Sequence, residues 1–331
     1  MFAYAARRML LSVPVLLVAS FLVFVLVAVS GSPTDPLRAV NPPVPEETIR
    51  LEERRLGWDQ PLLQRYGSWL WGLVTRGDFG PSVNPREDIN AEIVTRMGVT
   101  LRLVAVAMLV ALVIAVVAGV VSAVRQYSAL DYGITFSGFL FLAMPSFWLA
   151  VLLKEAGIWI NGLDGDPRTQ LLFTIGDRSP YLADPTWWNR FVDVAGHMIL
   201  PTISLALISF AAWSRFQRAA MLEVLGSDYV RLARAKGLPA RRVLTRHALR
   251  TALIPLTTVT AMDLAGILGG AVITETVFQW QGMGAYLIDS ITTRDLYAVM
   301  AWLTISGLLV VVGNLVADLL YGVLDPRIRH A

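Results

Sequence analysis

The amino-acid sequence predicts an all-α membrane protein with six transmembrane helices and both termini in the cytoplasm. Three observations carry this. Of 331 residues, 55% are hydrophobic and only 16% charged, with a mean hydropathy of +0.58; a soluble domain uses about 25% charged residues to cover its wetted surface. Six stretches are apolar enough, and long enough, for a bilayer core that takes about 20 helical residues. Arginine accumulates in connections on one side only, as the positive-inside rule requires of cytoplasmic loops. This composition argues against a soluble enzyme, a disordered chain and a nucleic-acid binder, since the pI near 9.3 accompanies a net charge of only +3. The absence of cysteine excludes disulfides, thiol catalysis, iron–sulfur clusters and cysteine–zinc sites. His197, His247 and His330 are too scattered for a metal site.

The first span is residues 9–30, after Arg7 and Arg8. Its 22-residue run outlasts the about 7–15 residues of a signal-peptide core, so a retained span is expected, although Ala28-Val29-Ser30 resembles a cleavage site. Residues 31–98 form an external connection too long for a plain loop. Within it, 46–74 has a helical rhythm ending in Trp69, Leu70, Trp71 and Leu73, which suits an amphipathic interfacial helix or a partner-docking one. The second span, 99–124, carries Arg102 near its start. The third, 132–160, contains Pro145 and the Lys154–Glu155 couple, suited to snorkelling or local pairing. Residues 161–193 form an external Asp/Gly/Pro-rich loop with Trp187–Trp188 at the interface. The fourth span is 194–213, with Pro201; both prolines are expected to kink their helices. The fifth is 251–274 with Asp263, and the sixth is 297–324 with Asn314 and Asp318. Residues 214–250 hold nine basic residues against Glu223 and Asp228, whereas 31–98 hold eight basic and ten acidic residues, and 161–193 three and five. Arg125, Arg327 and Arg329 fall on the cytoplasmic side of this scheme.

The most informative segment is cytoplasmic, residues 223–255: EVLGSDYVRLARAKGLPARRVLTRHALRTALIP. Gly226 and Ser227 open it, and Asp228 lies in a first turn, where an acid suits the helix N-terminus. Arg234 and Lys236 suit the last turn, and Gly237 supplies a left-handed stop. The spacing predicts a short helix over 228–236, comprising Asp228, Tyr229, Arg231, Ala233, Arg234, Ala235 and Lys236, followed after Pro239 by a basic helix over 241–251. Two readings stand: a short helix held out to enter a partner's groove, or a basic loop obeying the positive-inside rule.

This segment resembles the cytoplasmic coupling loop of ABC-transporter permeases, in the dipeptide/oligopeptide importer branch. Of the general signature, Glu-Ala-Ala then Gly then Ile-x-Leu-Pro, only Ala233 and Gly237 match in place, and Pro255 lies further from Gly237 than that signature has it. The peptide branch is similar in form: DYVRLARAKGL, then RHALRTALIP. The resemblance covers nearly the whole chain, through RRMLLSVPVLLVASFLVFVL, LGWDQPLLQRYGSWLWGL, RGDFG, MPSFWLA, HMILPTISLAL, LGGAVITETVFQWQGMG and LLYGVLDPRIR in that order.

The resemblance implies a type I importer permease: one transmembrane domain over 1–331, with 31–98 external and a core over 99–324 that includes a coupling loop, 223–250. It implies a bacterial cytoplasmic-membrane location, a second homologous permease, two ABC ATPase subunits and an extracytoplasmic solute-binding protein. The implied substrate is a peptide, or a peptide-like ligand such as a nickel chelate. ATP and Mg would sit on the partner ATPases, with no cofactor, metal or catalytic residue in this chain, and with lipid but no nucleic acid as a further partner. The sequence agrees: it has no G-x-x-x-x-G-K-[ST], H-E-x-x-H or G-x-S-x-G. An ion-coupled transporter with inverted repeats finds no repeat here, and an intramembrane enzyme finds no nucleophile–base set.

On the docking reading, Ala233 and Gly237, four apart, share the inserted face. Asp263 either pairs with a polar group on a neighbouring helix or, with Asn314, lines the translocation path. The segment 274–294 either folds back onto the chain or projects Trp280, Gln281 and Gly282 into the binding protein.

Overall fold

The structure, a computed structural model, describes residues 2–42, 44–163, 171–182 and 184–324. The side chains of Arg7, Arg8 and Asp318, residues 164–170, and Arg327, Arg329 and His330 of the tail lie outside what it describes. Among the described residues every regular element is a helix.

Helix α1, Phe2–Val29, presents Leu10, Leu11, Val15, Val18, Leu22 and Leu26 outward, an apolar surface that only lipid or another apolar partner covers favourably. A short α2, Asp35–Arg38, follows. The expected single rhythm over 46–74 resolves into two helices, α3, Glu46–Arg55, and α4, Leu62–Arg76. Pro61, with its fixed φ and missing N–H, starts the second. Helix α3 places Glu46 and Glu47 in its first turn and Arg54 and Arg55 in its last, complementing its dipole. Trp69 of α4 is buried and its indole N–H donates to the Phe79 carbonyl at 3.1 Å, while Trp71 is exposed. Tyr66 sits edge-on to Phe21 and Phe24 of α1, at 5.1 and 5.3 Å between ring centroids.

Helix α5, Ile89–Val124, has 36 residues. At 1.5 Å per residue this outruns a bilayer core of about 30 Å, and residues 89–98 of the connection expected over 31–98 form its first turns. The third span is not one kinked helix. It is two, α6, Ala129–Ala143, and α7, Ser146–Gly162, bent by 108° at Met144–Pro145. Met144 is extended (ψ 130°), the conformation that a following proline imposes.

Helix α8, Trp187–Leu225, runs 39 residues through Pro201 and packs against α6 and α7. It continues well past 213, so the connection expected from 214 is helical at first. Gly119 of α5 lies so close to α8 that an added Cβ would come 2.7 Å from Gln217 Cβ; only glycine permits that approach. The described parts of the 161–193 connection are tied down rather than loose. The Arg102 guanidinium pairs with buried Asp177 at 2.7 Å, Asp193 accepts from Ser179 N–H at 2.9 Å, and His197 stacks on Phe173 at 3.9 Å.

Beyond α9, Asp228–Ala235, and α10, Ala240–Arg242, a π-helical stretch, Val243–Ala248, leads into α11, Leu249–Met262. Residues five apart share a side in a π turn, and Val243 and Ala248 are both buried. The fifth span breaks at Asp263: α12, Leu264–Phe278, follows at a 45° bend. Both α11 and α12 pack on α8. Helices α13, Met283–Thr292, and α14, Leu296–Leu324, complete the described chain.

Two compact units result, Met1–Thr100 with Gln281–Val311, and Leu101–Trp280 with Val312–Ala331. The first is centred on Phe24, Trp69, Ile89, Ile93, Tyr286, Leu296 and Met300. Four helices are individually long and apolar enough to cross a bilayer, and six spans result if each bent pair counts as one.

Candidate functional site

The short basic helix of the second unit forms where expected. It spans Asp228–Ala235, with Lys236 as C-cap and Gly237 at φ +73°, the left-handed turn that glycine adopts without strain. Ser227 does not cap it with its side chain; its hydroxyl donates instead to the Val224 carbonyl at 2.6 Å. Val230 and Ala233 point inward to Ala123, Ala220, Met221, Val243, Ala248 and Ala252. Residues three apart share a helix face; Tyr229 and Leu232, 44% and 56% exposed, form a second stripe about 100° round the helix from this inner one. An ion pair between Arg231 and Asp228, both exposed, closes one turn and contributes little in water. Arg234, Ala235, Lys236 and Gly237 are exposed too, as are Arg241, Arg242, Arg246 and Arg250 beyond the turn.

The expected inserted face is thereby corrected. Ala233 is small because it packs within this chain: it is 6% exposed. A bulky residue there would overpack the chain's own core rather than probe a partner. The free face is the Tyr229/Leu232 stripe, an apolar patch ringed by cations.

Beneath this element lies a buried polar cluster that sequence reasoning missed. Arg218 of α8 holds Asp131 of α6 bidentately, through Nε at 2.8 Å and Nη2 at 2.9 Å. The Ser122 hydroxyl also donates to Asp131, as does the Tyr127 N–H, at 2.9 Å. The one local signal was Ser128-x-x-Asp131, a capping pattern; Ser128 indeed accepts from the Asp131 N–H.

Of the two residues offered for a translocation path, Asp263 accepts from the Trp213 indole N–H at 2.6 Å. The alternative of pairing with a polar group on a neighbouring helix is therefore the one seen. Asn314 is half-buried on α14 and shares no hydrogen bond with Asp263 among the described residues. Lys154 does not pair with Glu155; its ammonium donates to the Val277 carbonyl at 2.8 Å, in the last turn of α12, where the helix dipole favours a cation.

Of the two readings of 274–294, Trp280 follows the folded-back one. Trp280 is fully buried, with Arg102 over its ring at 5.2 Å, and Gly282 is buried. Gln281 is exposed and accepts from Arg96 at 2.6 Å. Large aromatic area is worth most when it leaves water, which is why this segment folds back. No group of described His, Asp or Glu residues has the geometry of a metal site.

These features define a polytopic helical membrane protein that carries a short, partly exposed basic helix between its spans. The chain belongs to the family of binding-protein-dependent transport system inner membrane components, whose model matches residues 115–330; the family's N-terminal model matches 1–104. It is thus a multi-pass inner-membrane transport component and not an enzyme. It is 41% identical over 326 residues, 98% of both chains, to oligopeptide transport system permease protein OppB of Mycobacterium tuberculosis (strain ATCC 25618 / H37Rv). To oligopeptide transport system permease protein AppB of Bacillus subtilis (strain 168) it is 38% identical over the full length of both. To dipeptide transport system permease protein DppB of Escherichia coli (strain K12) it is 36% identical, over 100% of this chain and 99% of that one.

Proposed function

We propose that this chain is the permease subunit of an ATP-driven peptide importer, forming half of the translocation pathway beside a second, homologous permease. The observation that carries the reading is the Tyr229/Leu232 face of α9, apolar and exposed although the adjoining Val230/Ala233 face is anchored in the core. Such a helix is shaped to be gripped. Two ATPase subunits, holding ATP and Mg, dock there; their closure on ATP pushes α9, and the anchored Val230/Ala233 side passes the motion to α8 and α11. Access then alternates between the two sides of the membrane. A solute-binding protein delivers the peptide from outside, and Gln281 is the exposed candidate for contact with it. The names of the relatives, oligopeptide and dipeptide permeases, support a peptide as cargo.

Within this proposal the chain is one domain over 1–331 with six spans, both termini cytoplasmic, 31–98 external, a core over 99–324 and the coupling loop within 223–250. Because the chain has no cysteine, single-cysteine labelling tests the topology. Cysteines at Glu47 and Tyr181 are expected to react with an impermeant maleimide from outside, and one at Arg241 is not; external labelling at Arg241 contradicts the scheme. Function is tested by uptake of labelled di- to hexapeptides into cells with and without this gene. Uptake is expected to vanish without it, and unchanged uptake of every peptide contradicts the proposal.

A further inference from the structure

In the first unit, α4 carries an apolar stripe that the described residues leave uncovered. At about 100° per residue, Leu63, Gly67, Leu70, Trp71 and Val74 fall in one sector about 100° wide, the breadth of an amphipathic helix's apolar face. Leu63 and Trp71 are each 70% exposed and Val74 74%, with Leu70 half-buried. The buried residues of the helix, Arg65, Trp69 and Gly72, lie on the opposite side. Gln64, Ser68 and Thr75 form a polar sector beside the stripe, and the Thr75 hydroxyl donates to the Trp71 carbonyl at 2.6 Å.

From Leu62 to Thr75 the only charged residue is Arg65, and it is withdrawn from the surface. It is 5% exposed, with its guanidinium 3.9 Å from the centroid of the Trp58 ring and 5.6 Å from that of Phe24. Helix α3, in the same connection, does the reverse and exposes Glu46, Glu47, Arg50, Arg54 and Arg55. A surface that faces water keeps its contiguous apolar patches small; α3 meets that description and α4 does not.

What covers the stripe follows from where α4 sits on α1. The Tyr66 hydroxyl is within hydrogen-bonding distance of the Leu17 carbonyl, at 3.3 Å, and of the Ser20 hydroxyl, at 2.9 Å, and its ring meets Phe21 and Phe24. Phe24 and Leu17 lie five and twelve residues before α1 ends at Val29, about 8 and 18 Å along the axis at 1.5 Å per residue. Interfacial helices bury their apolar face about 5–10 Å into the boundary between headgroups and acyl chains, so α4 meets α1 at or below that depth. Leu17 is itself 40% exposed, and the contact therefore opens onto the outward apolar surface of α1, which lipid covers in a multi-pass membrane protein. The Leu63/Trp71/Val74 stripe continues that surface. We propose that α4 is a lipid-embedded interfacial helix whose stripe is covered by phospholipid acyl chains, while α3 stands in water. The proposal rests on the topology above in two respects: α1 crosses the bilayer, and its Val29 end is the outer one.

The test places one spin-labelled cysteine at a time in the full-length, cysteine-free chain, reconstituted in nanodiscs of phosphatidylethanolamine and phosphatidylglycerol. It compares collision with oxygen, which concentrates among acyl chains, and collision with chromium oxalate, which stays in water. Leu63→Cys and Val74→Cys are expected to favour oxygen, and Arg50→Cys of α3 the oxalate. A preference for the oxalate at 63 and 74 overturns the proposal, as does shielding from both reagents in the chain alone. Gly67→Cys, where an added Cβ meets nothing within 4 Å, replaces either label if that variant elutes differently from the parent. Val18→Cys on α1 separates this proposal from the topology: oxygen preferred at 18 but not at 63 and 74 overturns the placement of α4 alone, whereas oxalate preferred at 18 overturns the span and the placement with it. A second arm adds the purified solute-binding protein. Unchanged oxygen preference at 63 and 74 supports lipid as the occupant, and protection of both positions from both reagents gives the stripe to that protein and overturns the proposal.

Discussion

Arg218→Ala is expected to destabilise the folded chain by about 3–5 kcal/mol, the cost of stranding a buried carboxylate without its partner. Asp131 is 2% exposed and relies on two guanidinium hydrogen bonds and a hydroxyl. Arg218→Lys should recover only part of this, because an ammonium cannot repeat the planar two-point contact. Removing both partners together should cost less than the sum of the single changes, the signature of direct coupling. Thermal unfolding in detergent measures all of these. A melting temperature unchanged in Arg218→Ala would mean that the pair does not hold α6 to α8.

Leu232→Asp is expected to abolish peptide uptake while leaving membrane insertion and the chain's own melting temperature intact. Leu232 is more than half exposed, so the folded chain does not depend on it. In a docked complex it would be buried, and losing the transfer of one leucine costs about 1.5–3 kcal/mol, roughly a ten- to 150-fold loss of association, before the added charge is counted. Tyr229→Ala should weaken the complex in the same direction. Ala233→Trp acts differently: it should lower the melting temperature, because the residue faces Met221 and Ala248. Normal uptake by Leu232→Asp, or a loss of uptake that tracks a loss of folded protein, would remove Leu232 from the docking face.

What was legible in the sequence was local. The limits of α9 follow from signals within a dozen residues: an acid in the first turn, cations in the last and glycine at the stop. Which of its faces would be free was not legible, since that depends on α8, the π-helical stretch and α11 closing over Val230 and Ala233. Small size at Ala233 pointed equally to a partner's groove and to a crowded interior. The same limit separates Pro145 from Pro201. Both lie in apolar runs, yet one terminates α6 with a 108° bend and the other sits inside a continuous α8. The proline alone does not decide between the two outcomes. Asp131 and Arg218 lie 87 positions apart, and neither stood out from the charges expected near the ends of spans. For Trp280 the sequence left two readings open for a related reason: an aromatic, glycine-containing connection suits a projecting loop as well as a folded-back one until its ring has somewhere to bury.

The claim that the Tyr229/Leu232 face of α9 grips the ATPase is tested most directly by site-specific crosslinking in the assembled transporter. The cysteine-free chain carries a single cysteine at position 232 or 233, labelled with a short photocrosslinker. The account predicts an ATPase adduct from Leu232→Cys, strengthened when ATP is bound without hydrolysis, and none from Ala233→Cys. An intact complex in which Leu232→Cys gives no ATPase adduct, or in which Ala233→Cys gives the stronger one, would contradict it.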